Sequence, residues 1–236
     1  MKVAILLPTM GRMEAVLHDW IVRSAMRGYE VVDMKAYGVA PVEGAFNRLH
    51  KKFLDSDCDY AFILNDDECP PDDAIERLAE HDKDVCSGVC WHWVSGKGPC
   101  PVSLRWNEAA QKYTYVYGSG LEKIDRVSMS GVLAKRKVLE AIPVGTYRHP
   151  KLNEDGTEWG SPGFAFWDAA RERGFEIWMD FDVRLHHYKS IDLLEVNDLM
   201  AGARTETVAW VADKVKGLRE TMTDAEIVGE LVKMGA

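Results

Sequence analysis

Residues 63–71 read ILNDDECPP, with three consecutive acids, Asp66, Asp67 and Glu68, directly behind an apolar run and just ahead of two prolines. Adjacent carboxylates repel one another. Such a cluster is comfortable when solvated, when paired with cations, or when wrapped on a hard divalent ion that prefers oxygen ligands. Magnesium or manganese holding a diphosphate fits that chemistry. Helix capping accounts for Asp72 and Asp73, which fall in the first turn of the helix after the prolines. It does not account for Asp66 and Asp67, which precede both. In an extended backbone Asn65 and Asp67 share one face and Asp66 takes the other.

The elements around this cluster make its position informative. Residues 2–7 (KVAILL) form an apolar strand, 13–26 a periodic helix, and 29–34 (YEVVDM) a second strand; 43–54 fit another helix and 60–64 (YAFIL) a strand covered on both faces. Strand, helix, strand, helix, strand implies a parallel sheet. Ligands of such sheets collect outside the carboxyl ends of the strands, where residues 65–68 lie. A helix over 72–81 and a strand over 84–93 come next. From 91 to 134 the short Gly-, Trp- and Tyr-rich runs predict antiparallel hairpins. Residues 143–163 form a loop too long for an idle connector and are read as a lid. A helix over 164–173 precedes a strand, FEIWMDFDVRLHHY (175–188), that runs into a His pair. Amphipathic helices are expected over 191–236.

The chain of 236 residues, 47% apolar and 28% charged, has the composition of a globular protein with a sizeable core. Its net charge of −9 sets it against sequence-independent binding to nucleic acid or anionic membrane. The apolar run after Lys2 is five residues long, shorter than a signal core or a membrane span, so a cytoplasmic protein without a span is expected. Five cysteines (Cys58, Cys69, Cys86, Cys90 and Cys100) argue against a secreted disulfide framework. Cys86, Cys90, His92 and Cys100 suggest a zinc cluster, but without a CxxC pair they read as structural thiols.

Several segments, in order over residues 2–188, resemble glycosyltransferases of the GT-A fold, especially the family-2-like group. The entry LPTMGR is similar to the family's PT-x-x-R loop, which meets the nucleotide; Pro8, Thr9 and Arg12 carry the match. GAFNRLHKKFLDSDCDYAFILNDDECPP resembles the ARN helix followed by the DxD run, with Asn47 at the ARN asparagine and Asn65-Asp66-Asp67 at DxD. Here Asn65 replaces the first acid and Phe46 the arginine. IDRVSMSGVLAKRKVLEAI resembles the Gly-containing segment that lines the sugar and acceptor pocket, which points to Ser130 and Gly131. AARERGFEIWMDFDVRLHH looks like the family's closing strand, whose final histidine, by spacing His187, meets the metal or donor phosphate.

The resemblance implies an α/β GT-A fold with a mostly parallel sheet flanked by helices, a small antiparallel part and carboxyl-terminal helices. The expected domains are 1–190 for the transferase and 191–236 for a helical extension packed on it. It implies transfer of a sugar from a nucleotide-diphosphate donor to an acceptor hydroxyl, with manganese or magnesium held by Asp67 and His187. Asp33, at the end of the second strand, is a candidate for the nucleotide. The acidic pair that often precedes the last strand is missing, which leaves Glu158 in the lid and Asp168 in the helix as candidates for the base. Trp91, Trp93 and Trp159 are candidates for stacking against sugar or acceptor. Two alternatives compete with this reading. One is an inactive nucleotide- or glycan-binding module. The other is a nucleotidyltransferase, disfavoured because PTMGRME offers one Gly and one Arg where a Gly-rich basic loop is needed.

Overall fold

The computed structural model describes residues 1–27, 30–94, 97–148, 162–189, 196 and 200–202. The first half alternates β1 (Lys2–Thr9), α1 (Ala15–Met26), β2 (Glu30–Tyr37), α2 (Val42–Leu54) and β3 (Tyr60–Ile63), as the periodicity predicts. Then come β4 (Glu68–Cys69), α3 (Ala74–Glu80), β5 (Val85–Val89), β6 (Trp91–Val94), β7 (Gly98–Pro101), β8 (Ser103–Asn107) and β9 (Lys112–Tyr115). The last described elements are β10 (Leu121–Ile124), β11 (Arg126–Val127), β12 (Val132–Lys135), α4 (Arg136–Ala141), α5 (Pro162–Glu172), β13 (Ile177–Arg184) and β14 (His186–His187). The strand expected over 84–93 is two strands, with Cys90 at the break between them.

The main sheet has seven strands in the order β10-β13-β5-β12-β3-β1-β2. β13, β5, β3, β1 and β2 run in one direction, while β12 is inserted antiparallel between β3 and β5 and β10 lies antiparallel at the edge. Small antiparallel pieces, β11-β8-β9 and β14-β4, complete the strand pairing together with β6-β7.

The unbroken apolar strands reflect burial on both faces. Ala4, Leu6, Ala61 and Ile63 join a core with Ala45, Leu49 and Phe53 of α2, Val138 of α4 and Trp167 of α5. Val3, Ile5, Leu7, Phe62 and Leu64 face the other way, onto Leu17 and Trp20 of α1 and Leu78 of α3. Alternation along each strand thus sends successive side chains into two cores. The buried positions 45, 46, 49, 50 and 53 of α2 make the apolar stripe of a helix lying on a sheet.

By its internal contacts the chain divides into one unit of Met1–His92 with Pro99–Lys189 and another of Trp93–Gly98 with Ser190–Ala236. Nearly all of the expected helical extension over 191–236, and the lid residues 149–161, lie outside the described residues. No described helix is long and apolar enough to cross a membrane.

Gly131 stitches the middle of the sheet where β12 begins. Its N–H donates to the Ile63 carbonyl at 2.8 Å and its carbonyl accepts from the Gly88 N–H at 2.9 Å. It has φ +70, and a Cβ there would lie 2.6 and 2.7 Å from the Leu185 methyls. Conformation and space both demand glycine. Gly131→Ala is expected to lower unfolding free energy by about 2–4 kcal/mol in urea titration, combining the left-handed backbone penalty with overpacking. A loss below about 0.5 kcal/mol, the range of ordinary surface substitutions, would show that Leu185 moves aside freely.

Candidate functional site at the carboxyl end of the sheet

The acid cluster is a turn, not the extended segment that alternation assumed. After β3, the Asn65 N–H donates to Ser130 Oγ at 3.0 Å, and the Glu68 N–H reaches back to the Asn65 carbonyl at 3.4 Å. The turn sends its side chains three ways. The Asp66 carboxylate accepts from the Met10 N–H at 3.3 Å while its carbonyl accepts from the Glu14 N–H at 3.1 Å, which ties the turn to the β1–α1 loop. Asp67 faces His187, with Oδ2 3.4 Å from Nε2, and pairs with the Lys189 ammonium. Glu68 turns inward and is wholly buried.

Two irregularities bring His187 to this place. Register along β13 slips between Asp180, opposite Gly88, and Arg184, opposite Val89. A bulge of this kind bends a strand and re-aims the side chains beyond it. The chain then forms β14, which pairs antiparallel with β4 so that His186 lies opposite Cys69 and His187 opposite Glu68. His187 Nδ1 lies 2.7 Å from the Trp91 carbonyl. A carbonyl can only accept, so Nδ1 carries the proton and Nε2 is left toward the acids.

Glu68 Oε1 accepts from Asn65 Nδ2 at 3.2 Å and lies 3.7 Å from His187 Nε2. Its other oxygen, Oε2, is buried without a hydrogen-bond partner among the described residues. Leaving such an acceptor unpaired costs about 1–3 kcal/mol. Cys90 Sγ lies 3.7 Å from His187 Nδ1, and the His92 and His187 rings are 4.8 Å apart. Ligand atoms of Glu68, Cys90, His92 and His187 all fall within 4.8 Å of one another, a group that can hold a metal ion.

The charges here are strongly coupled. Burial opposes ionisation of Asp67, but hydrogen bonds from His187 and Lys189 overcome it and hold the carboxyl at about 2, an anion at neutral pH. Burial also opposes charge on His187; Asp67, the Trp91 carbonyl and Glu68 outweigh it and raise the imidazole pKa. His92 is lowered to about 4 by desolvation and by the neighbouring charges of His187 and Lys189, so it is a neutral imidazole. Burial and the nearby Glu68 push the Cys90 thiol up.

Other expected site residues fall into three groups. Pro8 and Thr9 end β1, with Thr9 Oγ1 accepting from the Gly11 N–H at 3.0 Å; Arg12 is exposed and makes no ion pair among the described residues. Arg12 lies on the loop after β1 that Asp66 anchors. Asp33 occupies β2 in register with Ile5. Its side chain lies outside the described part of the molecule.

A second group is occupied in holding the fold. The Asn47 amide donates to the Tyr147 carbonyl at 2.9 Å and its oxygen accepts from the Gly145 N–H at 2.8 Å, which pins the start of the long loop. Ser130 is wholly buried and positions Asn65, and Gly131 stitches the sheet. Asp168, a candidate for the base, is bound through both oxygens by Arg126, at 3.0 and 2.6 Å. Trp91 contributes its carbonyl to His187, and its ring tilts against Tyr117 at 6.2 Å.

The third group consists of Trp93, which belongs to the second unit, and of Glu158 and Trp159, which lie outside the described residues. Sequence reading passed over Glu68, and set Cys90 and His92 aside as part of a group with Cys86 and Cys100. All five thiols are free and buried, but only Cys90 joins the metal-capable cluster. The usable signal was the C-x-H spacing at 90–92, since side chains two apart on extended backbone share a face.

A seven-stranded, mainly parallel sheet flanked by helices, with acids and a histidine converging at its carboxyl end, constitutes a GT-A-like fold. Among solved structures, the chain is similar to A197 from STIV, with a TM-score of 0.58 and 14% identity over 80% of this chain and 87% of that one. It also matches S. aureus TarS 1–349 in complex with UDP-GlcNAc, with a TM-score of 0.47 and 10% identity over 81% of this chain and 59% of that one. No family model matches the chain, and no curated protein matches its sequence.

The Asp67–His187 pair has a measurable signature. A raised folded pKa means that the metal-free protein draws stability from His187 below about 6.5 and loses it as pH rises through the folded value. NMR titration of the His187 ring should give a pKa above 6.5, and Asp67→Asn should lower it because the anion that stabilises the imidazolium is gone. An unchanged value in the variant would show that the pair is uncoupled.

Proposed function

We propose that the chain is a metal-dependent glycosyltransferase using a nucleotide-diphosphate sugar. The observation that carries this reading is the meeting of Asp67 and His187, from opposite ends of the domain, at 3.4 Å beside the β1–α1 loop. Asp66 holds the Met10 N–H of that loop, and Arg12, exposed on the same loop, would supply countercharge to a diphosphate.

The donor set suits a divalent ion. Asp67 is ionised, His187 directs Nε2 toward it, and the half-exposed Lys189 ammonium already occupies the position of a cation. A manganese or magnesium ion held by Asp67 and His187 would supply Lewis-acid stabilisation of the diphosphate leaving group. Lys189, displaced from Asp67, would then be free to bind a phosphate oxygen. Asp66 keeps the nucleotide loop and metal-binding turn in fixed register, and Ser130 does the same for Asn65. The base acting on the acceptor hydroxyl is Glu158 in this reading, since Asp168 is engaged by Arg126.

Asn65 at the first DxD position and the occupied Asp168 favour a second reading, a binding module without turnover. A manganese-dependent hydrolysis or transfer assay over a panel of nucleotide sugars distinguishes the two. Asp67→Ala is expected to lower metal-stimulated turnover by about 100-fold or more, the rate equivalent of several kcal/mol of charge stabilisation, with unchanged circular dichroism. Full turnover in that variant would remove the metal role, and donor binding without turnover in the parent would favour the module.

A further inference from the structure

We propose that Glu68, Cys90, His92 and His187 form a closed, four-ligand site for a zinc-class ion, separate from the oxygen-rich position beside Asp67. The inference shares His187 with the glycosyl-transfer reading and differs from it in the other three ligands.

Three observations converge on it. One ligand atom from each residue lies within 4.8 Å of all the others. A tetrahedral ion with bonds of about 2.0–2.3 Å separates its ligands by roughly 3.3–3.8 Å, so side-chain movements of about an ångström close the shell. Glu68 is 0% exposed, with Asn65 orienting Oε1 and no hydrogen-bond partner for Oε2 among the described residues. His187 hydrogen-bonds the Trp91 carbonyl at 2.7 Å through Nδ1. Metal-ligating histidines are characteristically oriented by such an outer hydrogen bond, which leaves the second nitrogen for the ion.

One thiolate and two imidazoles select zinc or a similar transition metal over magnesium, and manganese is the weakest of that series. On binding, the Cys90 S–H bond is replaced by an S–metal bond, its proton passes to solvent, and no electron is transferred. With four protein ligands and no open position, the ion would clamp the β5–β6 junction to the β14–β4 ladder. His187 offers one free nitrogen, so a zinc-filled shell and an ion held jointly by Asp67 and His187 exclude each other.

Cobalt(II) titration of the chelator-stripped full chain tests this. The parent should show the intense visible bands of tetrahedral cobalt and a near-ultraviolet thiolate charge-transfer band, both displaced by zinc but not by excess magnesium. Cys90→Ser should lose the charge-transfer band. His92→Ala, at an exposed residue that the fold tolerates, should weaken zinc binding about tenfold or more and reduce the rise in melting temperature that zinc gives the parent. No charge-transfer band in the parent, or an unchanged band in Cys90→Ser, overturns the site. Cobalt bands without nucleotide-sugar hydrolysis leave this centre standing and remove the transferase reading; hydrolysis without bands does the reverse.

Discussion

A ladder of two residue pairs, β14 against β4, governs the geometry at the carboxyl end of the sheet. It sets His187 opposite Glu68, next to Asp67, and leaves His186 exposed. Behind the ladder, burial of Glu68 removes a carboxylate from water, and its neighbours are arranged around that fact. Asn65 donates to one oxygen, His187 stands within ion-pair distance, and Cys90 is kept a neutral thiol. Burying a charge is costly unless it is paired or coordinated. The local sequence is organised around that requirement.

The same requirement accounts for the departure at Asn65. A carboxylate at this position would face the Glu68 carboxyl group at the 3.2 Å now spanned by an amide hydrogen bond, where two acceptors would meet with no donor between them. The amide converts repulsion into donation. The acid three residues later, Glu68, points inward.

Much of the architecture was legible because hydrophobic period and strand burial are local properties. The β1–α1–β2–α2–β3 order, the hairpin-rich middle and the approach of the closing strand to a His pair are all written in runs such as YAFIL and FEIWMDFDVRLHHY. The antiparallel insertion of β12 was not legible, because pairing direction depends on which strands become neighbours across the sheet. The site was legible only in part. Asp67 and His187 meet, but Asn47, Ser130 and Asp168 are engaged by a loop carbonyl, a backbone N–H and Arg126, partners that no spacing encodes. Glu68 was overlooked because an exposed run and a turn with one inward acid read alike in sequence.

The bulge between Asp180 and Arg184 decides which of two adjacent histidines matters. Side chains alternate along a strand, so the length of that bulge fixes the phase in which the chain enters β14. Adding one residue there would carry the odd-numbered imidazole to the outside and set His186 against the acids, reading the same dipeptide in the opposite frame. The irregular stretch is therefore a phase setting, and the His-His pair is a message whose meaning depends on where counting starts.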